Sequence, residues 1–151
     1  MHDSLYDEDL RLFQTTLRNW IKKEVSPFHS QWEADHICPR EIYKKAGDNG
    51  FLLINQPQEY GGQGLDFRFS ALLTEELALA GASGIPFWLH SDIVAPYIEH
   101  FGSETQKKKW LPKMASGEVI SAIAMTEPGT GSDLQGIKTT GVKEGSAWKI
   151  N

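Results

Sequence analysis

The hydrophobic period of the chain changes at Val119, and that change limits the folds open to it. Upstream, apolar residues recur at three- and four-residue spacing, the mark of helices with one buried face. Leu10, Phe13, Leu17, Trp20 and Ile21 fall at this spacing, with Leu10, Phe13 and Leu17 on one face. Asp7 suits an N-cap and Pro27 marks the stop. A second helix is predicted from Pro39, burying Ile42, Tyr43 and Ala46 and ending near Asn49-Gly50. The glycine-rich stretch from Gln56 to Gly64 reads as a loop. A third helix, Asp66 to Ala80, carries Leu72, Leu73, Leu77 and Ala80. A fourth, Phe87 to Phe101, carries Leu89, Ile93 and Tyr97, with Pro96 a candidate kink and Gly102 closing it. Ser103-Glu104-Thr105-Gln106 is a capping box that opens a fifth, running to Ser116-Gly117. Downstream the period is that of strands. Val119 to Thr126 is one candidate. Ile137 to Val142 and Trp148 to Ile150 are two more, joined as a hairpin through Lys143-Glu144-Gly145-Ser146. Helices over 1–118 thus precede strands over 119–151, with no internal repeat and no low-complexity segment.

Composition removes several classes of function. With 151 residues, 40% of them hydrophobic, the chain can bury the core of about one domain. A net charge of −5 argues against a nucleic-acid surface. Lys107-Lys108-Lys109 is the one basic cluster, and it reads as the solvated face of a helix. A single cysteine, Cys38, excludes an internal disulfide framework and fits a reducing compartment. Met1 to Leu5 lack the basic and apolar regions of a secretion signal. No apolar run approaches the ~18 residues of a membrane span. An intracellular soluble protein is expected. Trp148-Lys149-Ile150-Asn151 alternates as a strand does and stops without a turn or polar tail, which predicts a fragment.

The candidate site lies in Ala124-Met125-Thr126-Glu127-Pro128-Gly129-Thr130-Gly131-Ser132-Asp133-Leu134-Gln135-Gly136. An apolar strand runs into a glycine cluster. Glycines let backbone N–H groups approach a ligand, and a hydroxyl can donate to a phosphate oxygen. The result is a candidate anion cradle; from the loop alone, a ligand-free turn is an equal reading. A Rossmann fingerprint fails, because Leu134 stands at the third glycine position and no helix follows. Glu127 reads as a structural carboxylate in a turn ahead of a general base. The five histidines form no metal pattern: His29 and His36 flank a turn, and His90 and His100 are separated by most of a helix. No Gly-x-Ser-x-Gly nucleophile elbow is present.

Three segments together resemble the acyl-CoA dehydrogenase flavoproteins. The string from Ala124 to Asp133 is similar to the family's Thr-Glu-Pro-Gly-x-Gly-Ser-Asp signature, with Thr130 where a smaller residue is usual. Pro57-Gln58-Glu59-Tyr60-Gly61-Gly62-Gln63-Gly64 resembles a second family segment, and Gly102 to Pro112 a third. Phe87-Trp88-Leu89-His90-Ser91 and Asp133 to Thr139 point to the long-chain branch. The resemblance implies a mainly α fold: an N-terminal helical-bundle domain over 1–118, then the first strands of a β-barrel-like middle domain over 119–151. It implies FAD as cofactor, with Ile123, Ala124 and Met125 along the flavin ring and Thr126 at its pyrimidine edge. Gly131 and Ser132 would meet the pyrophosphate, Ser132 lying near the substrate as well. The implied activity is α,β-dehydrogenation of acyl-CoA to trans-2-enoyl-CoA in fatty-acid β-oxidation, with an electron-transfer flavoprotein as acceptor. The implied whole protein is a homo-oligomer, a tetramer or dimer, in the bacterial cytoplasm or the mitochondrial matrix. The family's base lies beyond Asn151, so no catalytic residue is expected in this chain. The helix from Phe87 to Tyr97 is implied to line the acyl channel. An acyl-CoA oxidase or flavin monooxygenase of the same fold, or a non-catalytic helical interaction module, are the alternatives.

Overall fold

The computed structural model describes residues 6–151. The secretion-signal reading of Met1 to Leu5 lies outside the described residues. Six α-helices precede one β-hairpin: α1 (Glu8–Glu24), α2 (His29–Ala34), α3 (Arg40–Asp48), α4 (Phe67–Leu79), α5 (Ala95–Phe101) and α6 (Glu104–Ala115), then β1 (Gly141–Glu144) and β2 (Ala147–Ile150). The fold is mainly helical with strands last, as the change of period predicts.

Helix ends follow local chemistry. Asp7 caps α1, its carboxylate accepting the Leu10 N–H at 2.9 Å. Ser103 and Gln106 close the capping box of α6. α3 buries Ile42, Tyr43 and Ala46; Pro39 serves as its cap rather than its first residue. Helix α2 is absent from the sequence reading. Its cap, Phe28, offers no side-chain acceptor, so the usual start signal is missing.

Aromatic rings pack edge-on within and beside the core. Phe13 meets Phe51 and Phe69 edge-on at 5.7 and 5.2 Å, and Trp20 meets Phe51 at 5.2 Å. Such edge-to-face pairs contribute about 0.5–1.5 kcal/mol each beyond their burial. Phe51-Leu52-Leu53-Ile54, a run with no helix or strand, is buried whole beneath them. The backbone of that run needs partners, and the hydroxyl of Ser91 supplies one by accepting the Leu53 N–H at 3.1 Å. α4 buries Leu72, Leu73 and Leu77 but leaves Ala80 exposed beyond its end, contrary to expectation.

The fourth predicted helix is continuous but irregular. Leu89–Val94 forms a π-helical turn directly ahead of α5, with the Ala95 N–H donating to the His90 carbonyl five residues back. In a regular helix the ring of Pro96 would collide with the carbonyl of Asp92. The wider turn stands where a kink was anticipated. It also changes the buried face: His90, Ser91 and Ala95 are buried, Leu89 and Ile93 are half-buried, and Tyr97 is exposed.

Two strand expectations need correction. Val119 to Thr126 forms no strand, because no other strand of the described residues lies beside it to pair with. The hairpin is present but starts at Gly141 rather than Ile137. Its turn is two residues, Gly145-Ser146, rather than four, with Glu144 opposite Ala147 and Gly141 opposite Ile150. Gly145 takes φ +63°, the left-handed conformation a two-residue turn needs. Among the described residues no helix is long and apolar enough to cross a membrane, and no cluster of His, Cys, Asp and Glu could hold a metal ion.

Candidate cofactor-binding hollow

After α6 the chain crosses the helical bundle before reaching the glycine-rich loop. The Val119 N–H donates to the Lys113 carbonyl at 3.0 Å, and the Ser121 N–H donates to Nδ1 of buried His90 at 3.2 Å. From Ala122 to Thr126 the backbone makes no hydrogen bond within the described residues. This stretch forms one side of a hollow of about 500 Å³, lined by Ile123, Ala124, Met125, Thr126, Glu127, Leu134, Ile137, Thr139 and, from α5, Tyr97. The lining is mostly apolar, with hydroxyls at Thr126, Thr139 and Tyr97.

Glu127 holds the loop in shape. Its backbone pairs both ways with Thr130, at 3.2 and 2.9 Å. Its carboxylate reaches across to the start of the hairpin arm, accepting the Lys138 N–H, the Thr139 N–H at 3.2 Å and the Thr139 hydroxyl at 2.6 Å. The Thr139 hydroxyl, followed by the Lys138 and Thr139 amides, holds this carboxyl below its usual range. A carboxylate with both oxygens so engaged is a structural clasp, the role its turn position predicts.

The loop beyond is open. An added Cβ at Gly129 or at Gly131 would meet no atom within 4 Å, and neither glycine has a positive φ. Neither packing nor backbone conformation within the described residues therefore requires glycine there. The backbone of both residues is open to the approach of another molecule. Gly131 and Ser132 are exposed and lie outside the lining of the hollow. Thr130 is buried, with its hydroxyl oxygen unpartnered and packed near Gly136.

Of the residues singled out from sequence, the structure brings Ile123, Ala124, Met125 and Thr126 to one wall and sets Gly131 and Ser132 on the adjoining loop. Leu89 and Ile93 do not line this hollow. Leu134, Ile137 and Thr139 do, and sequence reading missed them as lining. Their signal was weak: Ile137 and Thr139 read as strand, and Leu134 only as a break in a glycine pattern.

Residues 7–118 match the family described as acyl-CoA dehydrogenase, N-terminal domain. The chain is 44% identical over 147 residues to the long-chain specific acyl-CoA dehydrogenase, mitochondrial, of Sus scrofa, covering 97% of this chain and 34% of that protein. A crystal structure of an acyl-CoA dehydrogenase from Geobacillus kaustophilus superposes with a TM-score of 0.92 at 46% identity, over 97% of this chain and 38% of that one. A glutaryl-CoA dehydrogenase from Mycobacterium smegmatis in complex with FADH2 superposes with a TM-score of 0.91 at 29% identity, over 99% of this chain and 39% of that one. The chain spans about a third of the length of the curated relatives it matches.

Proposed function

The chain belongs to the acyl-CoA dehydrogenase family through its N-terminal domain, and we propose that it is the N-terminal part of an FAD-dependent acyl-CoA dehydrogenase. The observation that carries this reading is the hollow walled by Ile123 to Thr126 beside an open glycine loop. The residues suit FAD. Apolar side chains at Ile123, Ala124 and Met125 cover an aromatic ring, and the Thr126 hydroxyl meets a polar ring edge. The Gly131 N–H and Ser132 hydroxyl are free to approach a pyrophosphate, in a loop where nothing stands in a Cβ's place. Bound there, FAD supplies the hydride acceptor for α,β-dehydrogenation of an acyl-CoA thioester.

Glu127, the carboxylate that lines the hollow, is committed to Lys138 and Thr139. The family resemblance implies a proton-abstracting base beyond Asn151, and the engagement of Glu127 agrees with that reading. Residues 119–151 are the start of its second, β-rich domain. The substrate reading is an acyl-CoA of the long-chain class, with an electron-transfer flavoprotein as acceptor and a homo-oligomeric assembly. Support comes from the 44% identical long-chain relative and the FADH2-bound neighbour.

The test uses the full-length protein. It is expected to purify with stoichiometric flavin and to reduce an artificial acceptor when given an acyl-CoA; oxygen consumption instead would indicate an oxidase. Ser132→Ala should weaken FAD retention about tenfold or more, the loss of one hydrogen bond to a charged group. A flavin-free protein would overturn the reading, and full FAD retention by Ser132→Ala through dialysis would remove Ser132 from the phosphate site.

A further inference from the structure

We propose that His90 is a positioning residue: it fixes the flavin-facing segment 123–126 to the helical bundle through Ser121. The proposal rests on the FAD reading above only for its functional consequence; the attachment itself does not depend on it.

His90 is fully buried, on the π-helical turn ahead of α5. Both ring nitrogens are engaged. Nδ1 lies 3.2 Å from the Ser121 backbone nitrogen and 3.0 Å from the Ser121 hydroxyl; Nε2 lies 3.1 Å from the Met114 carbonyl oxygen. These partners fix the tautomer. A backbone N–H can only donate and a carbonyl can only accept. Nδ1 is therefore the bare acceptor and Nε2 carries the proton, so the imidazole is neutral. It bridges the end of α6 to the segment that follows. Tyr43 of α3 stands edge-on to the ring at 5.7 Å and is the titratable group facing it among the described residues. Burial holds the imidazole below its ordinary pKa, outweighing the Met114 carbonyl.

The position of this bridge gives it leverage. Ser121 is two residues before Ile123, and the next backbone hydrogen bond along the chain is made by Glu127. The wall of the hollow is thus a span held at one end by His90 and at the other by the Glu127 turn. Releasing the first end frees Ile123 to Thr126 to move relative to Tyr97, which lines the same hollow.

Two substitutions in the full-length protein separate the bonds. His90→Asn places a carbonyl oxygen at the δ position, where it can still accept from Ser121. His90→Gln places an amide donor at the ε position, where it can still reach Met114. Both keep a polar side chain in the site, and circular dichroism and the thermal midpoint establish that each folds. The expected result is that His90→Gln retains FAD about tenfold more weakly than wild type, the scale of one lost hydrogen bond, while His90→Asn recovers most of that loss. Exchange of the Ser121 amide, the one bonded to His90, should rise in the Gln variant and stay near wild type in the Asn variant. In wild type the protection of this amide, relative to its intrinsic exchange rate, should fall as pH drops below the ordinary histidine range and through the lowered pKa of His90, when a proton on Nδ1 removes the acceptor; the Asn variant should lack this pH response.

Equal exchange of the Ser121 amide in all three proteins would overturn the proposal. So would losses that follow thermal midpoint alone in both variants. A wild-type protein that holds no FAD would sink the cofactor reading, and amide exchange would still decide the role of His90.

Discussion

Glu76 shows how one buried charge is made tolerable. Its residue is 5% exposed, yet the carboxylate accepts from Arg18 at 2.7 and 2.8 Å and from Gln14 at 2.7 Å. Burial pushes its pKa up, but the bonds from Arg18 and Gln14 outweigh it and the net direction is down. The native state therefore binds fewer protons here than the unfolded chain. The stability from this site is complete above the ordinary carboxylate pKa and is lost as pH falls through the lowered one. Because the Arg18 side chain is half-exposed, the effect is discounted. Glu76→Gln should cost about 1–2 kcal/mol near neutral pH, with the gap from wild type closing in acid, as read by thermal unfolding across pH. At this scale the sequence was legible where chemistry is local. Asp7 and Ser103 could be named as caps because their partners sit within a turn, and Ile42, Tyr43 and Ala46 as buried because their spacing marks one helix face. The tautomer of His90 could not be read, because its partners lie 24 and 31 residues away.

Elements meet through close approaches that only small residues permit. Gly117, past the end of α6, has φ +73°, and a Cβ there would overlap the Tyr43 carbonyl of α3. Gly117→Ala combines a left-handed conformation with a backbone clash. It should cost more than about 2 kcal/mol and lower the thermal midpoint by several degrees. Helix positions were readable because a helix satisfies its own backbone and advertises its buried stripe. The strand predicted over Val119 to Thr126 was over-read for the converse reason: apolar alternation describes a strand's faces, while its existence depends on a neighbour. The π-helical turn carries no signal in periodicity at all. Pro96 marked the trouble, but not the form of the relief. Deleting one residue within Leu89–Val94 should remove the wider turn and bring the Pro96 ring against the carbonyl four residues before it, a cost of about 3 kcal/mol or more, detectable as a lower thermal midpoint.

For the molecule as a whole, stability is divided unevenly. Every residue of β1 and β2 is exposed, and none belongs to the hydrophobic core. A two-stranded hairpin without a covered face is marginal in water. Amides of Val142 to Lys149 in this chain should exchange orders of magnitude faster than those of α1, α4 and α6, as hydrogen exchange read by NMR would show; comparable protection would mean the hairpin is covered, for instance by self-association through Trp148 and Ile150. The order of helices before strands was legible in the sequence. The hollow was only half legible, because α5 contributes Tyr97 to its lining and its clasp comes from residues 11 and 12 positions beyond Glu127. The His90–Ser121 bond adds a schedule. A chain leaves the ribosome N-terminus first, and units tend to fold in that order. Among the described residues the hydrophobic core and the side chains packed against it all precede Ser121, so the bundle can close while the glycine loop is still being made. The wall of the hollow is then laid onto a finished surface, and the strands arrive last.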